Sequence, residues 1–209
     1  MLGNINLARL LEEAVENYGE RAVLISENSR INYGQLNSRI NAIAHLLKQT
    51  GVVKGDKVAL MLPNIPEFVY CYFAAVKLGA LAVPLNTSST PYELGYLLEN
   101  SDAKVLMTVE AARKRYEEIQ NKLSTCKNLI VVDSPGENSP FKKALAGGDF
   151  SDISEKIKPD DPAAIIYTSG LTGKSLGAVL THRNLYSQSL LTHTYVKRTH
   201  LDVGLSLIP

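Results

Sequence analysis

An α/β fold with a mainly parallel, helix-covered sheet is predicted by three features of this 209-residue sequence. Strand-like and helix-like segments alternate along most of the chain, the order that places helices over a parallel sheet. Several strand-like runs, residues 57–62 above all, are apolar throughout, which suits strands covered on both faces. A loop of Gly, Ser and Thr at 168–177 follows an apolar strand, the position at which open α/β sheets bind anions.

Taken in order, Leu7, Leu10, Leu11, Ala14 and Val15 recur at helical spacing and predict an amphipathic helix over 6–17. Residues 21–26 and 29–33 read as two short strands across a turn. Asn32 and Gln35 form a capping-box pair, and Leu36, Ile40, Ile43 and Leu47 then line one face of a helix that Gly51 helps to stop. After the strand at 57–62, Asn64 as cap, Pro66 and Glu67 mark a helix start. That helix runs to about Lys77, is apolar almost all round, and is therefore expected to be buried. Gly79 terminates it before a strand at 81–85. Thr90 and Glu93 form the clearest capping box, opening a helix to about Asn100. A strand at 105–109, a charged helix at 111–123 and a strand at 129–133 follow. Residues 134–161, rich in Pro, Gly, Ser and charge, read as a surface connection with a short helix at 141–146. Strands at 164–167 and 178–180 flank the Gly-rich loop, Thr181 caps a helix at 183–195, and 205–209 reads as an apolar strand.

Lys plus Arg (22) nearly balance Asp plus Glu (21), and no basic block stands out, so neither nucleic acid nor an anionic membrane surface is an expected partner. The most apolar run, 65–85, is interrupted by Pro66, Glu67, Lys77 and Pro84 and is not expected to span a membrane. The acidic N-terminal stretch is unlike a signal peptide. Cys71 and Cys126 lack metal or redox spacing, and a reduced, cytoplasmic protein is the simplest expectation. His45, His193 and His200 show no spacing for a metal or a triad, and His182, in the first turn of its helix, is expected to be structural.

Three readings compete for the 168–177 loop. It could be a polar turn, since turns use Gly, Ser and Thr anyway. It could be a Walker A loop, because Gly173, Lys174 and Ser175 fit the last three positions of GxxxxGK[ST]. The first glycine of that motif would fall at Thr168, however, and a strand rather than a helix follows. Third, it could bind an anion: Gly170, Gly173 and Gly177 let backbone N–H groups converge, Thr168, Ser169, Thr172 and Ser175 offer hydroxyls, and Lys174 adds a charge.

The third reading is joined by a resemblance. The run Tyr167-Thr168-Ser169-Gly170-Leu171-Thr172-Gly173, then Gly177 and Leu180-Thr181-His182-Arg183-Asn184-Leu185, resembles without a gap the phosphate-loop signature YTSGTTGxPKGVxLTHxNL of adenylate-forming enzymes. That superfamily contains the acyl-CoA synthetases, luciferases and peptide-synthetase adenylation domains. Residues 56–64, Glu67-Phe68, Ala74-Ala75, residues 77–80, 83–86 and 93–98 resemble its early segment. The chain departs from the pattern where the family has Pro-Lys-Gly and this sequence has Ser175-Leu176-Gly177, and at Leu171, where the family has Thr.

The resemblance implies a coenzyme A ligase of fatty-acid type, a function that carries its own expectations. ATP and a carboxylic acid give an acyl-adenylate and pyrophosphate, and coenzyme A then accepts the acyl group. Thr168, Ser169, Gly170, Thr172, Gly173 and Lys174 are the implied ATP-phosphate contacts, and Thr168 is the implied hydroxyl supporting Mg²⁺. Residues 1–209 would be the N-terminal part of the large domain, with the rest of the active site outside this sequence and this part inactive alone. A peptide-synthetase adenylation domain and a non-catalytic α/β phosphate-binding module are the alternatives.

Overall fold

The computed structural model describes residues 6–26, 29–153, 155–168, 175–197, 199 and 201–205. The elements in chain order are α1 (Leu7–Tyr18), β1 (Ala22–Ser26), β2 (Ser29–Asn32), α2 (Tyr33–Gln49), β3 (Lys57–Met61), α3 (Pro66–Lys77), β4 (Leu81–Pro84), α4 (Pro91–Asn100), β5 (Ala103–Thr108), α5 (Arg113–Glu117), β6 (Asn128–Val131), α6 (Pro140–Gly147), β7 (Pro162–Thr168), β8 (Leu176–Thr181) and α7 (His182–Val196). Strands β3 to β8 form one sheet in the order β6-β5-β3-β4-β7-β8. Every neighbouring pair is parallel except β7 and β8, which run antiparallel. β1 and β2 make a separate antiparallel pair.

The continuous apolar strands are explained by cover on both faces. Successive side chains of a strand point to opposite sides, so Val58 and Leu60 join one buried cluster, with α2 and α3. Ala59 and Met61 join the other, with Leu94, Leu97 and Leu98 of α4. Helices α1, α2, α3 and α6 contribute to the first layer, and α4 with the segment after β5 to the second. The expected α/β class, with a mostly parallel sheet between helices, is the observed one.

Both predicted capping boxes are present: Gln35 N donates to Asn32 Oδ1 at 2.7 Å, and Glu93 N to Thr90 Oγ1 at 3.3 Å, each with its reciprocal bond. Gly79, at φ +65, ends α3 where a side chain would be strained and would meet Lys54.

Four local expectations are corrected. The cap of α3 is Ile65, in extended backbone, rather than Asn64; Pro66 at the first helical position sets the start. The single helix expected over 111–123 is α5 flanked by two short 3₁₀ turns, Glu110–Ala112 and Gln120–Lys122, because Tyr116, Ile119 and Leu123 must all reach the core. The strands around the Gly-rich loop are longer than expected, pairing Thr168 with Leu176 and Tyr167 with Gly177. Of the strand expected at 205–209, Leu205 is not in a strand and the remainder lies outside the described residues. The 134–161 segment carries α6 and places Phe141 and Ile153 in the core.

Candidate functional site

The parallel strands bring the carboxyl ends of β3, β4, β5, β6 and β7 to one edge of the sheet. At that edge, between β4, β7 and α4, lies a cleft of about 500 Å³. Its walls come from Pro84 to Asn86 at the exit of β4, Ser88 and Ser89 on the following turn, Tyr92, Glu93 and Tyr96 on α4, and Tyr167, Thr168 and Ser175 where β7 and β8 meet the loop. Asn86 shapes the turn by accepting from Ser88 N at 2.8 Å. Arg115 braces it from α5 by donating to the Thr87 carbonyl.

Of the six residues expected to hold phosphate, Thr168 is the last residue of β7 and is exposed at the cleft. Among the described residues its hydroxyl donates one long contact, 3.5 Å to the Leu176 carbonyl. Ser169, Gly170, Thr172, Gly173 and Lys174 lie outside the described residues. The chain re-enters as a strand at Leu176, not as a helix, which excludes the Walker A reading. Leu176, where the family pattern has its lysine, is exposed and paired with Thr168.

The cleft holds one carboxylate among the described residues, and the α4 cap occupies it. Glu93 Oε2 accepts from Thr90 N at 2.8 Å and from Thr90 Oγ1 at 3.0 Å. These bonds, the backbone one first, hold its pKa below the ordinary glutamate value. Burial pushes the Tyr167 phenol above its ordinary value, so at neutral pH it is a hydrogen-bond donor; it donates to Asn100 Oδ1 at 2.7 Å. Among the described residues no group of three or more His, Cys, Asp or Glu could hold a metal ion. The Thr168 hydroxyl at the cleft is an oxygen donor of the kind that a hard cation such as magnesium accepts.

Two buried polar groups lie away from the cleft, and the partners of both are distant in sequence. His182 is fully buried at the head of α7. Its Nδ1 accepts from Leu7 N at 3.2 Å and its own N–H donates to the Asp161 carbonyl at 3.1 Å, so it ties α1, the approach to β7 and α7 together, the structural role expected of it. Lys77, read as a charge at a helix end, is 1% exposed. Its ammonium donates to Asn41 Oδ1 at 2.7 Å, Asn37 Oδ1 at 3.1 Å and Asp152 Oδ1 at 3.2 Å. A lysine in an otherwise apolar helix was the available signal, since such a charge is buried only when paired.

The AMP-binding enzyme family matches residues 11–209. The crotonobetaine/carnitine–CoA ligase of Citrobacter koseri is 32% identical over 224 residues, covering 100% of this chain and 43% of the ligase. Among solved structures, a long-chain-fatty-acid–CoA ligase (FadD1) from Archaeoglobus fulgidus superposes with a TM-score of 0.86 at 25% identity, over 95% of this chain and 41% of that one. The N-terminal domain of FACL13 from Mycobacterium tuberculosis gives 0.77 at 29% identity, over 85% and 44%. The chain thus spans under half the length of each of these three relatives. No described helix is long and apolar enough to cross a membrane. A family match across almost the whole chain, on a sheet whose glycine-rich loop returns as a strand beside Thr168, shows that this chain belongs to the AMP-binding, adenylate-forming enzyme family.

Proposed function

We propose that the full-length protein is an acid–thiol ligase. It activates a carboxylic acid with ATP to an acyl-adenylate, releases pyrophosphate and passes the acyl group to coenzyme A. The observation that carries this reading is the β7–loop–β8 return at the carboxyl edge of the sheet, with Thr168 opening onto the cleft. In the activation step a carboxylate oxygen bonds to the α-phosphorus and the bond to the bridging oxygen of pyrophosphate breaks. Charge grows on that leaving group. Thr168, Ser169, Gly170, Thr172, Gly173 and Lys174 are the groups proposed to receive it, acting as fixed donors rather than as proton-transfer groups. Mg²⁺, when bound, supplies further neutralisation of phosphate charge, with Thr168 as its proposed protein oxygen.

A fatty acid is the substrate class we propose. The similarity to the Archaeoglobus ligase and to a fatty acyl-CoA synthetase of Mycobacterium tuberculosis supports it, while the relative in Citrobacter is named for crotonobetaine and carnitine and another similar structure for anthranilate. The test is acid-dependent ATP–pyrophosphate exchange by the full-length protein with fatty, aromatic and trimethylammonium acids, followed by coenzyme A-dependent AMP release. Exchange with fatty acids and thioester formation is expected. Exchange with amino acids and no use of coenzyme A would favour a peptide-synthetase domain, and no exchange with any acid would leave a non-catalytic module.

A further inference from the structure

Resting on the reading of residues 168–175 as a phosphate loop, we propose that Tyr96 and Asn100 of α4 are positioning residues that hold the loop's two ends. Tyr96 Oη donates to the Ser175 carbonyl at 3.0 Å, at the point where the chain returns toward β8. Tyr167, the residue before Thr168 on β7, donates to Asn100 Oδ1 at 2.7 Å. The two residues that flank the loop, Tyr167 through its phenol and Ser175 through its carbonyl, are thus each bonded to one helix.

The helix is a suitable anchor. Tyr96 and Asn100 are four residues apart and so lie one above the other on a single face of α4. Leu94, Leu97 and Leu98 of the same helix are buried, and its N-terminus is closed by the Thr90–Glu93 box, so α4 cannot shift without opening the core. The direction of the Tyr167 phenol is set as well. A Cβ on Gly177 would come within 2.8 Å of Ile165 Cγ2 and 3.2 Å of the Tyr167 ring, so the ring lies on the bare backbone of its cross-strand partner. Tyr96 and Tyr167 both pack against the core cluster beneath α4, which fixes each ring independently of its hydroxyl.

Tyr96 acts on the loop through the Ser175 carbonyl, and Asn100 through the Tyr167 phenol. Fixing Tyr167 and Ser175 presets the backbone that presents Thr168, and such preorganisation lowers the cost of binding. Releasing an end should therefore weaken ATP capture without altering the chemical step or the acid site. Tyr96→Phe removes one hydroxyl and keeps the ring. In the full-length enzyme it is expected to raise KM for ATP about threefold to tenfold, the range one net hydrogen bond spans, with kcat and KM for the acid unchanged. Amide hydrogen exchange in the peptide spanning 167–177 is expected to speed up, with that of Leu94 and Leu98 unchanged. Asn100→Ala should reproduce this and Asn100→Asp, which keeps an acceptor for Tyr167, should restore wild-type values.

Wild-type KM for ATP and wild-type exchange in Tyr96→Phe would overturn the proposal. So would faster exchange throughout α4 with a lowered melting temperature, since that marks a stability role alone. If the full-length protein shows no acid-dependent pyrophosphate exchange, the proposed function fails on its own; the exchange measurement at 167–177 still decides whether α4 holds the loop ends.

Discussion

Acid should destabilise the fold through one buried imidazole. His182 is inaccessible to solvent, and its Nδ1 must stay unprotonated to accept from Leu7 N. Burial lowers its pKa from the ordinary 6.5 to about 4; Asp161 pulls the other way and Lys54, bonded to Asp161 at 2.6 Å, reinforces the fall. The sign follows directly. Between pH 6.5 and 4 the unfolded chain binds a proton at this site and the folded chain does not, so stability is full above pH 6.5 and is lost as pH falls toward 4. With those two pKa values the loss is at most about 2 kcal/mol from pH 7 to 5, and about 3 kcal/mol by pH 4.

The assay is urea unfolding followed by circular dichroism from pH 7.5 to 5, on the wild type and His182→Asn. Asparagine keeps an acceptor near the position of Nδ1 and does not titrate. The stability difference between the two should shrink by up to about 2 kcal/mol across that range, a relative midpoint shift of about 1 M for a domain of this size. Carboxylates and the other histidines are common to both proteins and cancel. Parallel curves would refute the reasoning, because they would mean that His182 takes up its proton without cost in the folded state.

Three further outcomes are expected. Lys174→Ala should reduce kcat/KM for ATP in the full-length enzyme by about tenfold to a hundredfold, the worth of a charged hydrogen bond, while Leu176→Ala does little; near-wild-type values in both would leave backbone amides and hydroxyls as the whole phosphate site. Gly177→Ala should lower stability by about 1–3 kcal/mol through overpacking against Ile165 and Tyr167, read as a fall in the urea midpoint, and an unchanged midpoint would show that the strands spread freely. Lys77→Met should cost about 1–3 kcal/mol by leaving the buried Asn41 Oδ1 without its lysine donor, and a variant as stable as the wild type would show that the ammonium contributes no net stability.

Local chemistry made much of this fold legible. The Asn32–Gln35 and Thr90–Glu93 boxes, the apolar run at 57–62 and the glycine after α3 each act within a few residues, and each appears where expected. What escaped depends on partners distant in sequence. The break in the helix after β5 follows from the direction in which Tyr116, Ile119 and Leu123 must point to meet α4 and the sheet. The partners of Lys77 are 36, 40 and 75 residues away, and those of Tyr96 and Tyr167 are 79 and 67 residues away. Thr168 could be named from its motif; its exposure at a cleft beside α4 could not.

The antiparallel return of β8 also bears on which charges of this chain could meet a phosphate at the proposed loop. In a loop that runs straight into a helix, the free N–H groups of the first turn and the helix dipole face the anion. Here the next helix, α7, begins only after the six residues of β8. At about 3.4 Å per residue that is roughly 20 Å from the loop, well outside the single turn over which a helix terminus acts. The N-terminus of α4 is nearer, but Thr90 accepts from its Glu93 N–H, Pro91 has none to give, and the Glu93 carboxylate opposes a phosphate. Among the described residues lining the cleft there is no lysine or arginine. If the loop takes a triphosphate, as proposed, the cationic charge that this chain's own segment can offer lies within the loop, where Lys174 is the cation the sequence contains.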